Sequence, residues 1–270
     1  MKKKYRKRIP VSKILDQLWC ERRLELKLIH GVEVKTRAMK DGEKVHMEIS
    51  SRSGLPKPHN FIDWLGYQLH LSANSLSHLK NRGYAREIFL VAYLEPWRGY
   101  VTGCVDEVRL IGTKSQIVEI KTTKSTKIPE NSSHRLQAML YHRILDVLKR
   151  QDYSRNLQEA YNLKRRSAIS EEFAALTGIE GSVLKISNDL AAKIRSVPEL
   201  SRESRIVYRN LTSGSVIGEK WVATDNLWLE EMLKFARAYW DDEREAQKTR
   251  DRWKCRYCEV RDLCNQNIFI

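Results

Sequence analysis

Three side chains of this sequence have the types and spacing for metal-assisted chemistry at a phosphate: Asp106 in Gly103-Cys-Val-Asp106, and Glu119 and Lys121 in Glu119-Ile-Lys121. Two carboxylates held within a few ångströms repel each other, and a divalent cation removes that repulsion best. Hard oxygen donors favour Mg²⁺ or Mn²⁺, and the carbonyl of a neighbour such as Ile120 offers a further oxygen. A lysine two residues on supplies a mobile positive charge that can hold an attacking water or steady charge building on a phosphate. The same three residues would also suit an exposed strand face with a surface salt bridge, so their setting decides between the two readings.

The elements that must position them read as a hairpin. Gly99 to Ile111 and Ser115 to Thr122 are rich in Val, Ile and Tyr and straddle Gly112-Thr113. If Gly112 takes the first central place of a two-residue type II′ turn, Ile111 pairs with Lys114 and Asp106 falls opposite Glu119. A four-residue turn would instead set Asp106 opposite Lys121. Both registers leave the three polar groups on one face, with Val118 and Ile120 directed into the core, and only an odd slip separates them.

Other residues could join this centre. His46, in Gly42-Glu-Lys-Val-His46, lies in a stretch from Arg37 to Ile49 that reads as helix, and its imidazole could complete a metal site or contact a phosphate. Gln137 and Tyr141 stand four apart on a predicted helix from Ser132 to about Lys149, on one flank of the stripe Leu136, Leu140, Ile144, Val147 and Leu148. Of five cysteines, Cys20 lies near one end and Cys255, Cys258 and Cys264 near the other. The C-terminal trio has metal-ligand spacing, and a fourth thiolate would close either a tetrahedral Zn site or a four-iron cluster. No secretory h-region is visible, so a reducing, intracellular and most simply cytoplasmic compartment is expected, where metal binding is favoured over disulfides. Joining Cys20 to the trio would close a loop of most of the chain and act as a clasp. Cys104, beside Asp106, reads as a small core residue.

In this order, Gly42-xxx-His46, Gly103-xx-Asp106, Glu119-x-Lys121 and Gln137-xxx-Tyr141 resemble the successive motifs of the RecB-like branch of the PD-(D/E)XK nucleases. The early cysteine with the late Cys-x2-Cys-x5-Cys resembles its iron-sulfur subset, which includes Cas4, the AddB nuclease domain and exonuclease V. Trp19-Cys20-Glu21 and Leu136-Gln-Ala-Met-Leu-Tyr141 are more similar to exonuclease V than to Cas4, whose early cysteine is typically followed by proline. The resemblance implies an α/β, restriction-endonuclease-like core, a mixed sheet flanked by helices. It implies that Asp106 and Glu119 bind Mg²⁺ or Mn²⁺ with His46 and the Ile120 carbonyl, and that Lys121 orients the water. Gln137 and Tyr141 would support the active site and the DNA strand, and Cys20, Cys255, Cys258 and Cys264 would hold a chiefly structural [4Fe-4S] cluster. It also implies a single-stranded DNA exonuclease of 5′ to 3′ polarity acting on a threaded free end in DNA repair or processing. A single-stranded-DNA-binding protein is a partner such an enzyme could use. Between the GxxxH and GxxD motifs no further signature stands out. The rival readings are a Cas4-like nuclease working with CRISPR adaptation proteins, and a non-catalytic nucleic-acid-binding protein with structural Zn.

Composition agrees with a polyanionic partner. The net charge is +15 and the pI about 9.6, a field that favours nucleic acid. Lys2, Lys3, Lys4, Arg6, Lys7 and Arg8 form a basic arm over residues 1–10, and further clusters run over Lys124 to Lys127, Lys164 to Arg166 and Arg202 to Arg209. Tryptophans offer stacking surfaces for unpaired bases. The length suits a single nuclease domain over 11–270, with a polar, mostly helical insertion at 150–200, and no apolar run is long enough for a membrane span. Helices are predicted over Val11 to Ile29, carrying Cys20 and capped by Ser12, over Asn60 to Lys80, and over Asn226 to about Lys248. A strand is predicted over Ala85 to Leu94, and a second hairpin over Arg205 to Leu211 and Ser215 to Ala223.

Overall fold

The computed structural model describes residues 7–32, 40–41, 56–129 and 132–264. In chain order the elements are β1 (Arg8–Pro10), α1 (Val11–Trp19), α2 (Glu21–His30), α3 (Phe61–Ser77), α4 (Leu79–Arg82), β2 (Tyr84–Leu94), β3 (Gly99–Ile111), β4 (Lys114–Thr123), α5 (Ser132–Leu148), α6 (Tyr153–Tyr161), α7 (Glu171–Thr177), α8 (Val183–Ser196), β5 (Glu203–Asn210), β6 (Val216–Ala223) and α9 (Asn226–Trp240), with short 3₁₀ turns between and after them. Among the described residues this is a mixed α/β fold, a six-stranded mixed sheet flanked by helices. No helix among the described residues is long and apolar enough to cross a membrane.

The sheet is organised around β3, whose two edges are used differently. β2 runs antiparallel along one edge from Tyr84↔Arg109 to Leu94↔Gly99. The other edge is shared: β1 pairs parallel with Tyr100 to Thr102, and β4 pairs antiparallel only from Ile111↔Lys114 to Glu107↔Val118. Residues 103–106 of β3 therefore lie between two partners on that edge. Beyond Val118, β4 leaves β3 and runs parallel to β5 through Thr123↔Asn210. The result is a fork, with Asp106 on one arm and Glu119 and Lys121 on the other. The register is the one a two-residue turn gives, and Gly112 takes the positive φ (57°) such a turn demands while Thr113 does not.

Several expectations change. The end of the basic arm is strand: Ile9 is 1% exposed because β1 completes the β3 edge. Residues 11–29 do not form one helix. Cys20 is extended (φ −167°, ψ 113°), closing α1 and opening α2, and Pro10 rather than Ser12 precedes the first turn. α9 ends at Trp240, not near Lys248; Asp242 turns left-handed (φ 60°), and Arg244 is drawn back to Glu21 of α2. The helices α6, α7 and α8 within 150–200 pack on the core. Asp63 of α3 accepts hydrogen bonds from the Ser170 amide and hydroxyl, and Ile169 lies so near Gly66 that a Cβ there would stand 2.3 Å from it.

Candidate active site

The two arms of the fork are joined through a side chain. Asp106 Oδ2 accepts a hydrogen bond from the Ile120 amide at 2.7 Å, in the place where a ladder bond between β3 and β4 would otherwise form. A strand residue presents its N–H and C=O to the same edge, so the Ile120 carbonyl also faces the fork. Lys121 Nζ donates to Glu119 Oε2 at 3.2 Å and to Gln137 Oε1 of α5 at 2.8 Å. The structure thus brings Asp106, Glu119, Ile120, Lys121 and Gln137 together. Tyr141, one turn further along α5, rests against β3: a Cβ on Gly103 would lie 2.5 Å from Tyr141 Cε1. His46 lies outside the described residues.

Burial separates this arrangement from an exposed salt-bridged strand. Glu119 is 0% exposed, and its Oε1 is buried without a hydrogen-bond partner. Burial first, and then the charge of Asp106, push its carboxyl well above the ordinary carboxylate range. Burial opposes the charge of Lys121, but Glu119 and Asp106 outweigh it and keep the amine a cation. Tyr141 is held in its protonated form by burial and by the same two carboxylates. A buried acidic oxygen lacking a partner beside a second carboxylate is the donor set a hard divalent cation fits.

Some features escaped the sequence reading. His134 stands three residues before Gln137 on α5, and its Nδ1 lies 3.1 Å from the Tyr208 hydroxyl; Tyr208 is the β5 partner of Lys121. Burial, then Lys121 and Lys220, depress His134 to a pKa of about 4, so it is a neutral neighbour of the lysine at pH 7. The i, i+3 spacing to Gln137 was the available signal. Cys104 is not an inert core residue, since its thiol donates to Glu87 Oε2 at 3.3 Å. Glu107, 1% exposed, is held between Arg86 (2.9 Å) and Arg109 (2.5 Å).

Cys20, Cys255, Cys258 and Cys264 line one cavity together with Trp19, Arg22, Arg23 and Arg261. Among the described residues, however, no three His, Cys, Asp or Glu side chains stand close enough to hold one metal ion. The expected cysteine clasp is therefore not drawn together as a ligand set. What joins α1 and α2 to the C-terminal segment is polar: Glu21 receives Arg244 (2.5 Å) and the Gln247 amide (2.8 Å). Arg23 donates to Glu259 (2.6 Å), and Lys254 donates to the Trp19 carbonyl (3.2 Å).

One substitution tests the contact between helix and fork. Gly103→Ala should cost about 1–3 kcal/mol through overpacking, displace Tyr141, and lower the midpoint of chemical denaturation. An unchanged midpoint would mean that Tyr141 does not press on β3.

The mixed α/β fold and the order of the motifs are consistent with the PD-(D/E)XK type in its RecB-like branch. The model of the exonuclease V family, described as a 5′ deoxyribonuclease, matches residues 1–118 and 179–266. The match spans more than half of the chain, and the chain belongs to that family. Asp106 and the four cysteines lie inside the matched residues, whereas Glu119, Lys121, Gln137 and Tyr141 fall between the two matched stretches. No match is found among curated proteins. Among solved structures, the crystal structure of SSO0001 is similar, with a TM-score of 0.53 and 13% identity over 100% of this chain and 90% of that one. Likeness at that identity shows the fold.

Proposed function

We propose that this protein is a Mg²⁺- or Mn²⁺-dependent exonuclease that hydrolyses single-stranded DNA from a free 5′ end, in DNA repair or processing. Family membership gives the class, a DNA exonuclease. The observation that carries the mechanism is the fork, where a fully buried Glu119 with an unpartnered oxygen meets Asp106 beside the ammonium of Lys121. Asp106, Glu119 and the Ile120 carbonyl would hold the cation, with His46 as a further ligand. When bound, that cation supplies a water of lowered pKa and polarises the phosphodiester. Lys121 then holds the attacking oxygen and offsets charge building on the phosphate, and Gln137 fixes the amine by its 2.8 Å hydrogen bond. Tyr141, protonated, donates toward the strand being cut.

A preference for single strands is supported by a groove lined by Trp19, Trp228, Trp253, Leu136 and Lys254 at the first turn of α5, the helix that carries Gln137. Trp253 is 56% exposed, and Arg135 lies over the Trp228 ring. Unpaired bases stack on such faces without regard to sequence, and duplex bases cannot. Lys124 and Lys127 beyond β4, and Lys164, Arg165 and Arg166, are exposed cations suited to phosphates. The cysteine spacing carries the proposal of a [4Fe-4S] cluster held by Cys20, Cys255, Cys258 and Cys264; the four line one cavity but are not gathered as a ligand set in this structure. Visible absorption and iron content of protein purified without oxygen separate that cluster from Zn.

End-labelled single strands blocked at either the 5′ or the 3′ end test the activity. Cleavage with Mg²⁺ or Mn²⁺, stopped by EDTA and by the 5′ block alone, is expected. EDTA-resistant cleavage, indifference to the 5′ block, or a preference for duplex would each overturn the assignment.

A further inference from the structure

Between β4 and α5 the chain is fastened to the far strands of the sheet. Ile128 fills the space that Gly218 of β6 leaves, where a Cβ would stand 2.6 Å from it, and the Pro129 carbonyl accepts from Lys220 Nζ at 3.0 Å. In the first turn of the helix, His134 Nδ1 meets the Tyr208 hydroxyl of β5 at 3.1 Å, with the two rings 5.8 Å apart. α5 is therefore anchored over β5 and β6 before the chain reaches Gln137.

A second hydrogen bond then ties the helix to the sheet, from Lys121 Nζ to Gln137 Oε1 at 2.8 Å. The two bonds are spaced alike at both ends. Lys121 and Tyr208 are partners in the parallel ladder of β4 and β5, so their side chains leave one face about 4.8 Å apart. His134 and Gln137, three residues apart, are neighbours on the helix surface at about 5–6 Å. Strand rung, hydrogen bond, helix turn and hydrogen bond close a circuit of four residues. A slip of α5 by one residue, about 1.5 Å, would stretch both bonds together.

We infer that His134 and Tyr208 are a positioning pair, which sets α5 over β4 and β5 so that Gln137 is aimed at the Lys121 amine. The inference rests on the reading of Lys121 as the group that holds the attacking oxygen. Tyr208 is 1% exposed, so its hydroxyl serves the pair and not the strand being cut. Lysine has a long flexible stem, and without Gln137 the amine would settle on Glu119, its ion-pair partner at 3.2 Å. A displacement of about 1 Å from the reacting geometry can cost roughly 100-fold in rate.

Three variants test this in the full-length protein. Tyr208→Phe and His134→Leu remove the bond while keeping bulk, and His134→Asn restores a polar atom near the place of Nδ1. In the first two, kcat for single-strand cleavage should fall about 10- to 100-fold with KM unchanged, and His134→Asn should recover most of it. Because the pair acts through Gln137, Tyr208→Phe should cost nothing further in protein that already carries Gln137→Ala. Natural kcat in Tyr208→Phe, or losses that multiply in the double variant, overturns the inference. The Lys121 ammonium signal in proton–nitrogen NMR, assigned by its loss in Lys121→Ala, needs neither substrate nor metal. It should broaden with Tyr208→Phe and His134→Leu and sharpen again with His134→Asn. An unchanged signal overturns the inference even in a protein that cuts no DNA, whereas a broadened signal with no cleavage by the unsubstituted protein overturns only the catalytic reading of the fork.

Discussion

Lys121→Ala is expected to lower single-strand cleavage by at least roughly 10²–10³-fold, while binding of the same strand in EDTA survives. The amine lies between Glu119 and Gln137, at 3.2 and 2.8 Å, and its charge is set by the two carboxylates it faces. Removing it takes away the cation that would steady the phosphate. It also leaves Glu119, already pushed upward by burial and by Asp106, with still more reason to keep its proton. Asp106→Asn is the control for folding: the amide oxygen can still accept from the Ile120 amide, so the arms of the fork stay joined while the charge is lost. Cleavage at the natural rate in either variant would sink the assignment. The raised Glu119 carboxyl also gives a sign for pH. Because a cation must displace its proton, the Mn²⁺ concentration for half-maximal cleavage should fall as pH rises above the ordinary carboxylate range.

The second large effect lies away from the fork. Glu21→Ala should destabilise the protein by about 3–5 kcal/mol, the usual consequence of stripping one partner from a buried ion pair. Glu21 is buried and accepts from Arg244 Nη1 and Nη2 at 2.5 Å, from Gln17 at 2.8 Å and from the Gln247 amide at 2.8 Å. Without it, Arg244 loses the carboxylate that turns the chain back after α9, and residues 241–264 lose their hold on α2. Hydrogen exchange at the Gln247 amide should rise before the sheet opens, and equal protection in the variant would refute this role. Burial raises the Glu21 carboxyl, but its hydrogen bonds to Arg244, Gln17 and Gln247 outweigh burial and leave it below its ordinary 4.5. Glu259, brought to about 2 against its own burial by Arg23 and Lys27, behaves the same way. Both contributions are therefore present above pH 4.5 and are lost as pH falls through the lowered values, so acid should release the C-terminal segment first.

Much of the fold was legible from local rules. Alternating Val and Ile around Gly112-Thr113 gave the hairpin and narrowed its register to two solutions with the same face, of which the structure has the two-residue turn. The helix beginning near Asn60 and the apolar stripe of α5 were equally plain. Helix continuity was less so. Apolar periodicity carries through Cys20 and past Trp240, yet the chain breaks at both places, because Glu21 and Arg244 reach each other across 223 positions in sequence. No local pattern encodes that meeting.

The sequence by itself determined which residue types share the hairpin face, the order of the motifs, and the helix that brings Gln137 and Tyr141. Only the tertiary structure decided that β1 and β4 divide one edge of β3, which opens the fork at Asp106 and seals Glu119 from water. It also decided that His134 of α5 meets Tyr208 of β5, the ladder partner of Lys121. The physical reason is the same in each case: side-chain direction follows from local periodicity, whereas burial, and with it the charge state of a carboxylate, follows from which distant strands and helices close over it.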